Sequence, residues 1–232
     1  MAKRPKRPKR AAAPKNPRPT RTKREAARTS PRRPRATPRS TPGSRHTVPL
    51  LRAMLAVSLD GYIADKAGGV GWLDPFNSPE FDFAAFIRSI GATIYGRATF
   101  DWALAHGHLT SGDGAGGKVI VLTHRPIENC PPGVEAFSGD VRELAARLKR
   151  ELAGDATRET KDVWLMGGGL SITPFHEAGL VERWELAIIP VLLGDGIPLC
   201  PRREHAVESL KLVRSRAFKN GMVEAWYQGA RR

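Results

Sequence analysis

Apolar positions in residues 51–228 form two kinds of pattern that alternate along the chain. Residues 51–59 (LRAMLAVSL) are a continuous apolar run, which is typical of a strand buried on both faces. Residues 79–90 space their apolar side chains three and four positions apart, which predicts a helix. Further strands are predicted at residues 92–95, 118–123, 162–166 and 183–193, with a helix that follows Asp140 as its N-cap. This alternation predicts an α/β fold with a mostly parallel central sheet.

The end of the chain predicts an antiparallel hairpin. Asn220-Gly221 is a strong two-residue turn signal, and it separates the strand patterns of residues 210–218 and 222–228. The sheet is therefore expected to finish with one antiparallel strand.

Two prolines modify the predicted elements. Pro190 lies inside the predicted strand at residues 183–193 and indicates an edge strand or a bulge, because proline has no N–H to donate. Thr173 and Pro174 suit the N-cap and the first position of a helix, so the helix after the strand at 162–166 is expected to begin there.

The net positive charge of the chain comes from its first 45 residues. They contain 17 Lys and Arg, one acid (Glu25), nine prolines and no Leu, Ile, Val or aromatic residue. Their net charge is +16 and that of the whole chain is +15, so the remaining residues carry −1. Such a segment cannot bury enough apolar surface to offset the entropy of ordering. We therefore predict a disordered basic tail at residues 1–46 and one folded domain at residues 47–232.

The basic tail leaves three interpretations open. A cationic arm over residues 1–45 can bind nucleic-acid phosphates without sequence preference, in a strongly salt-dependent way. It can also be a solvated tail without a specific partner, or the product of a mis-set translation start.

Several function classes lack support in the sequence. No apolar stretch reaches the roughly 18–20 residues that span a membrane, and the tail has no apolar core of a secretory signal. Cys130 and Cys200 are the only cysteines and do not form a disulfide framework, so a cytoplasmic location is expected. The chain contains no zinc-ligand spacing and no P-loop, and no metal site is predicted.

Three predicted strand ends carry residues that suit a phosphate. Gly167–Gly169 follow the strand at 162–166, and glycines there let backbone amides approach an anion closely. The strand at 92–95 ends in Gly96-Arg97-Ala98-Thr99, and the next one ends in Thr123-His124-Arg125. Each motif alone is equally compatible with a tight turn or with a helix start bearing a surface arginine. Because ligands of parallel sheets bind beyond the carboxyl ends of the strands, the three together favour a phosphate site.

The motifs, in their order, resemble the dihydrofolate reductase-like superfamily. Residues 58–64 (SLDGYIA) are similar to its opening strand and loop, and residues 96–100 (GRATF) to its GRxT[FWY] element. The glycine run, residues 178–182 (AGLVE) and residues 190–196 (PVLLGDG) complete the pattern. The likeness covers about residues 50–228 and is greatest to the reductase domain of bacterial bifunctional riboflavin-biosynthesis deaminase-reductases.

The resemblance implies a three-layer fold and a bound NADPH. It also implies a cis peptide bond between Gly167 and Gly168. The implied cofactor-binding residues are Ala56 and Ile63 at the nicotinamide, Arg97 and Thr99 at phosphates, Thr123 and His124 near the adenosine 2′-phosphate, and Gly167, Gly168, Gly169, Leu170 and Ser171 at the pyrophosphate.

Three acids are candidates for the substrate side. Asp82 resembles the substrate-binding acid of dihydrofolate reductases and is the candidate catalytic residue; the alternative is an exposed acid at a helix N-terminus. Asp60 and Asp74 can line the substrate pocket or merely cap turns.

The resemblance implies NADPH-dependent hydride transfer to a small heterocyclic or carbonyl substrate. The most specific hypothesis is reduction of 5-amino-6-(5-phosphoribosylamino)uracil in riboflavin biosynthesis. Two departures weaken it, since the chain lacks the deaminase zinc signature, and residues 100–109 (FDWALAHGHL) replace the acidic DDPxLxxR segment. Dihydrofolate reduction is the first alternative, and a nucleic-acid-associated protein with a vestigial reductase module is the second. A homodimer through residues 183–193 or the terminal hairpin is compatible with the sequence.

Overall fold

The computed structural model describes residues 48–109, 117–154, 159–201 and 207–229. The predictions made for the basic tail lie outside these residues. The strands and α-helices, in chain order, are β1 (Leu51–Ser58), β2 (Tyr62–Ala64), α1 (Phe83–Arg88), β3 (Ile90–Gly96), α2 (Arg97–Ala105), β4 (Lys118–Leu122), β5 (Val134–Phe137), α3 (Val141–Leu152), β6 (Asp162–Met166), α4 (Gly169–Glu177), β7 (Arg183–Ile189), β8 (Ile197–Pro198), β9 (Lys211–Ala217) and β10 (Val223–Gln228). A 3₁₀ helix spans Gly71–Phe76.

Eight of these strands form one sheet in the order β5-β4-β3-β6-β1-β7-β10-β9. Strand β10 is antiparallel to both of its neighbours, and every other pairing in the sheet is parallel. The predicted α/β fold, with a mostly parallel sheet and a C-terminal antiparallel hairpin, is confirmed.

The sheet is covered by helices on both faces because its central strands alternate apolar side chains between the two. Leu144 and Leu148 of α3 and Phe175 of α4 pack on one face. Phe86 of α1 packs against Trp164 on the other, and α2 adds Phe100 there. The three-layer arrangement is therefore confirmed. It directs the carboxyl ends of β1, β3, β4, β6 and β7 to one edge of the sheet.

A buried charge cluster joins the amino ends of the central strands. The Arg52 guanidinium of β1 donates to both carboxylate oxygens of Glu185 at 2.7 Å and to Asp162 at 3.1 Å. It also donates to the Ser89 hydroxyl at 2.9 Å and lies 4.7 Å from the centre of the Phe86 ring. Arg52 therefore ties β1, β6 and β7 to the end of α1, at the edge opposite the predicted phosphate site.

Two elements differ from the sequence prediction at prolines. Strand β7 ends at Ile189, before Pro190, and lies centrally between β1 and β10 instead of at an edge. The proline follows the last pairing residue, so its missing N–H does not disrupt the sheet. Helix α4 begins at Gly169 and not at Thr173, because the N–H groups of Ser171 and Ile172 already donate to the Gly168 carbonyl.

One helix is shorter than predicted, and one strand was not predicted. The helix predicted at residues 79–90 is limited to Phe83–Arg88, with Asp82 as its N-cap. The four-residue strand Val134–Phe137 was not predicted. The helix after Asp140 is confirmed, and the Asp140 carboxylate accepts from the Arg142 N–H at 2.8 Å.

Candidate functional site

The glycine loop after β6 and the turn after β3 lie in contact. Gly167 has φ +145°, a conformation that side chains rarely adopt. A Cβ on Gly167 would lie 3.2 Å from the Gly96 nitrogen, 3.3 Å from Thr99 Oγ1 and 2.5 Å from Ser171 Oγ. Strands β3 and β6 are neighbours in the sheet, which is why the two motifs meet. Glycine at 167 leaves a small polar cradle lined by an amide nitrogen and two hydroxyls.

Helices α2 and α4 both begin at this cradle. Their N-caps are Gly96 and Gly168, and neither helix has a side-chain cap. A Cβ on Gly96 would lie 3.0 Å from Ser171 Oγ, so the two helix starts are adjacent. The first N–H groups of an α-helix have no partner inside the helix and carry partial positive charge. Two uncapped helix starts side by side therefore suit an anionic ligand.

The peptide bond between Gly167 and Gly168 is trans, which corrects the cis bond implied by the resemblance. The positive φ of Gly167 turns the chain from β6 into α4 without a cis peptide bond.

Arg97 connects the turn after β3 to the loop after β4. Its Nη1 donates to the Pro126 carbonyl at 3.0 Å and to the Arg125 carbonyl at 3.3 Å, and lies 3.5 Å from Thr123 Oγ1. Thr123 Oγ1 in turn accepts from the Arg125 N–H at 3.0 Å. The side chains of His124 and Arg125 are exposed at this loop. The structure thus brings three of the predicted phosphate residues together beside the cradle.

The two residues predicted at the nicotinamide lie on β1 and β2. Ile63 reaches the glycine loop, since its Cδ1 would lie 3.7 Å from a Cβ on Gly168. Ala56 packs with Trp72 against a cluster of Ile189, Phe218 and Met222. Leu170 contributes the second backbone position of α4. Most of the predicted cofactor residues therefore follow one edge of the sheet from the loop after β4 to β2.

Asp60 joins the loops after β1 and β7. Its carboxylate accepts from Ser58 Oγ at 2.6 Å, from the Gly194 N–H at 2.7 Å and from the Leu193 N–H at 3.2 Å. These hydrogen bonds, that from Ser58 foremost, lower the pKa of Asp60 below its ordinary value. Asp60 therefore links the two loops by hydrogen bonds. That it also contacts a substrate stays a prediction.

The other two predicted acids are exposed. Asp74 lies in the 3₁₀ helix. Asp82 is the N-cap of α1, where its carboxylate accepts from the Ala85 N–H at 2.8 Å. This contact matches the alternative interpretation of Asp82, and its catalytic role stays a prediction. The Phe83 ring beside it is 42% exposed and stacks on Phe81 and Phe86, with centroids 6.4 and 6.0 Å away.

The comparison that identifies the family covers most of the chain. The family model described as the RibD C-terminal domain matches residues 49–224. The chain belongs to this family. The family is the one that the sequence motifs resembled, so that prediction is confirmed.

Two curated relatives from Bacillus subtilis (strain 168) are similar over much of their length. The "Uncharacterized protein YyaP" is 31% identical over 191 residues, which are 75% of this chain and 91% of that protein. The "Uncharacterized protein YwjB" is 30% identical over 147 residues, which are 62% of this chain and 79% of that protein.

Solved structures give the same fold. A "Putative riboflavin biosynthesis protein" from Shewanella sp. PV-4 is 25% identical, with a TM-score of 0.65 over 78% of this chain and 99% of that one. A diaminohydroxyphosphoribosylaminopyrimidine deaminase/5-amino-6-(5-phosphoribosylamino)uracil reductase from Thermotoga maritima is 16% identical, with a TM-score of 0.57 over 79% of this chain and 57% of that one. Enterococcus faecalis dihydrofolate reductase complexed with NADP(H) is 17% identical, with a TM-score of 0.53 over 78% and 96% of the two chains. At 16% and 17% identity the likeness is one of fold.

Two residues in this member of the family were missed by the sequence analysis. Asp101 binds Arg97 and lies four positions after it, so the helical spacing of opposite charges could have indicated the pair. The Trp72 indole nitrogen is buried and has no hydrogen-bond partner among the described residues. Its packing beside Ala56 depends on the fold of the 3₁₀ segment, and no sequence signal predicts it.

Among the described residues, no group of three or more His, Cys, Asp or Glu side chains could hold a metal ion. Nor is any helix of that part of the chain long and apolar enough to span a membrane.

Proposed function

We propose that this chain is an NADPH-dependent reductase of a small heterocyclic or carbonyl compound. The proposal rests on family membership, on the reductase-type fold and on the cradle around Gly167. The single observation that carries it is the space beside Gly167, which the Gly96 nitrogen and the Thr99 hydroxyl line at two uncapped helix starts.

The residues of this edge fit the parts of a dinucleotide. The amides of Gly168 and Gly169 would bind the pyrophosphate, since backbone N–H groups at a helix start bind anions without a side chain. Thr99 adds a hydroxyl at 3.3 Å from the Cβ position of Gly167. A larger residue at 167 would fill the space that the phosphate requires.

The phosphorylated form of the cofactor suits the loop after β4. Arg97 and Arg125 place positive charges there and His124 adds a ring nitrogen that can hydrogen-bond, and an additional phosphate needs such groups. NADH lacks the 2′-phosphate that these groups would neutralise. We therefore expect NADPH to be preferred over NADH.

The chain's own residues would orient the cofactor and exclude water. Bound NADPH supplies a hydride from its reduced nicotinamide. Ile63 and Ala56 would hold the nicotinamide against the ends of β1 and β2. Trp72 would cover it from the 3₁₀ segment, because it packs against the same cluster as Ala56.

The substrate proposed is 5-amino-6-(5-phosphoribosylamino)uracil or a compound of its class. Support comes from the family and from the riboflavin-biosynthesis name of the Shewanella protein, which is 25% identical. Dihydrofolate remains the alternative substrate. The capping contact of Asp82 does not favour it, because that carboxylate already binds a backbone N–H.

The proposal is tested by following oxidation of NADPH by the full chain with each substrate in turn. We expect oxidation with the ribosylaminouracil phosphate and little above background with dihydrofolate. Oxidation with dihydrofolate alone would overturn the substrate assignment. No oxidation with a panel of heterocyclic and carbonyl compounds, by a protein that binds NADPH, would contradict the reductase activity itself.

A further inference from the structure

The Arg97 guanidinium is held on two sides and open on the third. Its Nε–H donates to both oxygens of Asp101, at 2.8 and 3.0 Å. Its Nη1 binds the carbonyls of Arg125 and Pro126. Among the described residues, Nη2 has no hydrogen-bond partner, so its two N–H groups remain available.

Asp101 has two opposite effects on an anion that approaches Nη2. It fixes the plane of the guanidinium, because Asp101 and the loop carbonyls bind different nitrogens of this rigid, planar group. It also places a negative charge beside the positive one. The side chains of Arg97 and Asp101 are 23% and 49% exposed, so the carboxylate is not shielded from an incoming ligand. A phosphate at Nη2 would be attracted by the guanidinium and repelled by the carboxylate.

We infer that Asp101 is a positioning residue that directs Nη2 of Arg97 at a phosphate and limits how strongly that site prefers a phosphorylated adenosine ribose. The inference rests on the proposed function, since it needs a dinucleotide at this edge. It adds to that function a residue of this chain that sets cofactor preference. Asp101 itself does not touch the cofactor.

The test is Asp101→Asn in the full chain, titrated with NADPH and with NADH by quenching of tryptophan fluorescence. Asparagine keeps an oxygen that accepts from Nε but removes the charge. The ratio of the NADH to the NADPH dissociation constant is expected to rise about threefold to tenfold at low salt, as for one unit charge several ångströms from a phosphate. This rise in the ratio of dissociation constants should become smaller as salt is added, because exposed charges are screened. Affinity for NADH should be unchanged.

Asp101→Ala separates positioning from charge. It removes the acceptor as well as the charge, so Arg97 is held by the loop alone, and the ratio should lie below that of Asp101→Asn. An equal or higher ratio for the alanine variant would overturn the positioning role.

Glu151→Gln is the matched control, since Glu151 pairs with Lys118 at the amino end of β4 and carries the same charge. It should leave the ratio unchanged. If the Asp101→Asn variant binds NADPH and still shows an unchanged or lower ratio, Asp101 does not limit cofactor preference. This inference then fails while the proposed function stands. If the unaltered chain binds neither dinucleotide, both this inference and the proposed function fail.

Discussion

Replacing Gly167 with alanine is expected to weaken NADPH binding by about tenfold to a hundredfold. The new methyl group would lie 3.2 Å from the Gly96 nitrogen and 2.5 Å from Ser171 Oγ, inside the cradle proposed for the pyrophosphate. Alanine also disfavours the φ of +145° found at this position. Isothermal titration of the purified variant with NADPH measures the loss.

Gly179→Ala is the control for backbone strain. Gly179 follows α4 with φ +70°, and a Cβ there would meet no atom within 4 Å. This variant should lose about 1 kcal/mol of stability, as expected for a side chain in a left-handed conformation, and bind NADPH normally. Equal binding by the two glycine variants would contradict a phosphate site at Gly167.

Replacing Arg52 with methionine is expected to lower the free energy of unfolding by about 3–5 kcal/mol. Arg52 is 7% exposed, and its removal leaves the carboxylates of Glu185 and Asp162 buried without their cation. The substitution also removes two contacts at the end of α1, because the guanidinium donates to Ser89 and lies over the Phe86 ring. Urea unfolding followed by circular dichroism measures the change.

Arg147→Met provides the comparison for Arg52. Arg147 binds a single carboxylate, that of Glu135, and both side chains are more than a third exposed. An exposed pair contributes about 0–1 kcal/mol, so this variant should unfold nearly as the unaltered chain does. Similar losses for the two arginine variants would show that burial does not set the contribution of the Arg52 cluster.

The fold could be predicted from the sequence where burial leaves a strong pattern. Strand β6 was placed at its observed bounds because it is nearly all buried, so that the four residues after Asp162 form an unbroken apolar run. Strand β5 was missed because its four residues at the sheet edge are partly buried or exposed and carry no distinct pattern. Proline also misled the prediction, since Pro190 ends a central strand and Pro174 lies inside a helix.

The candidate site was predictable in its parts but not in its contacts. Glycines, an arginine and hydroxyls at three strand ends could be read from the chain. Gly167 faces Gly96 because β3 pairs with β6. The paired residues are about 70 positions apart in the chain, and no local sequence pattern specifies such a pairing. The binding of Arg97 to loop carbonyls at residues 125 and 126 depends likewise on the fold.

The proposed function requires that this edge of the sheet binds NADPH. It is tested most directly by titrating the full chain with NADPH and with NADH, while tryptophan fluorescence and the melting temperature are recorded. We expect saturable binding of NADPH and a rise in melting temperature. Binding of NADH should be weaker by about tenfold or more, because NADH lacks the phosphate that Arg97 would bind. A folded protein that shows no saturable response to either dinucleotide would contradict the proposed function.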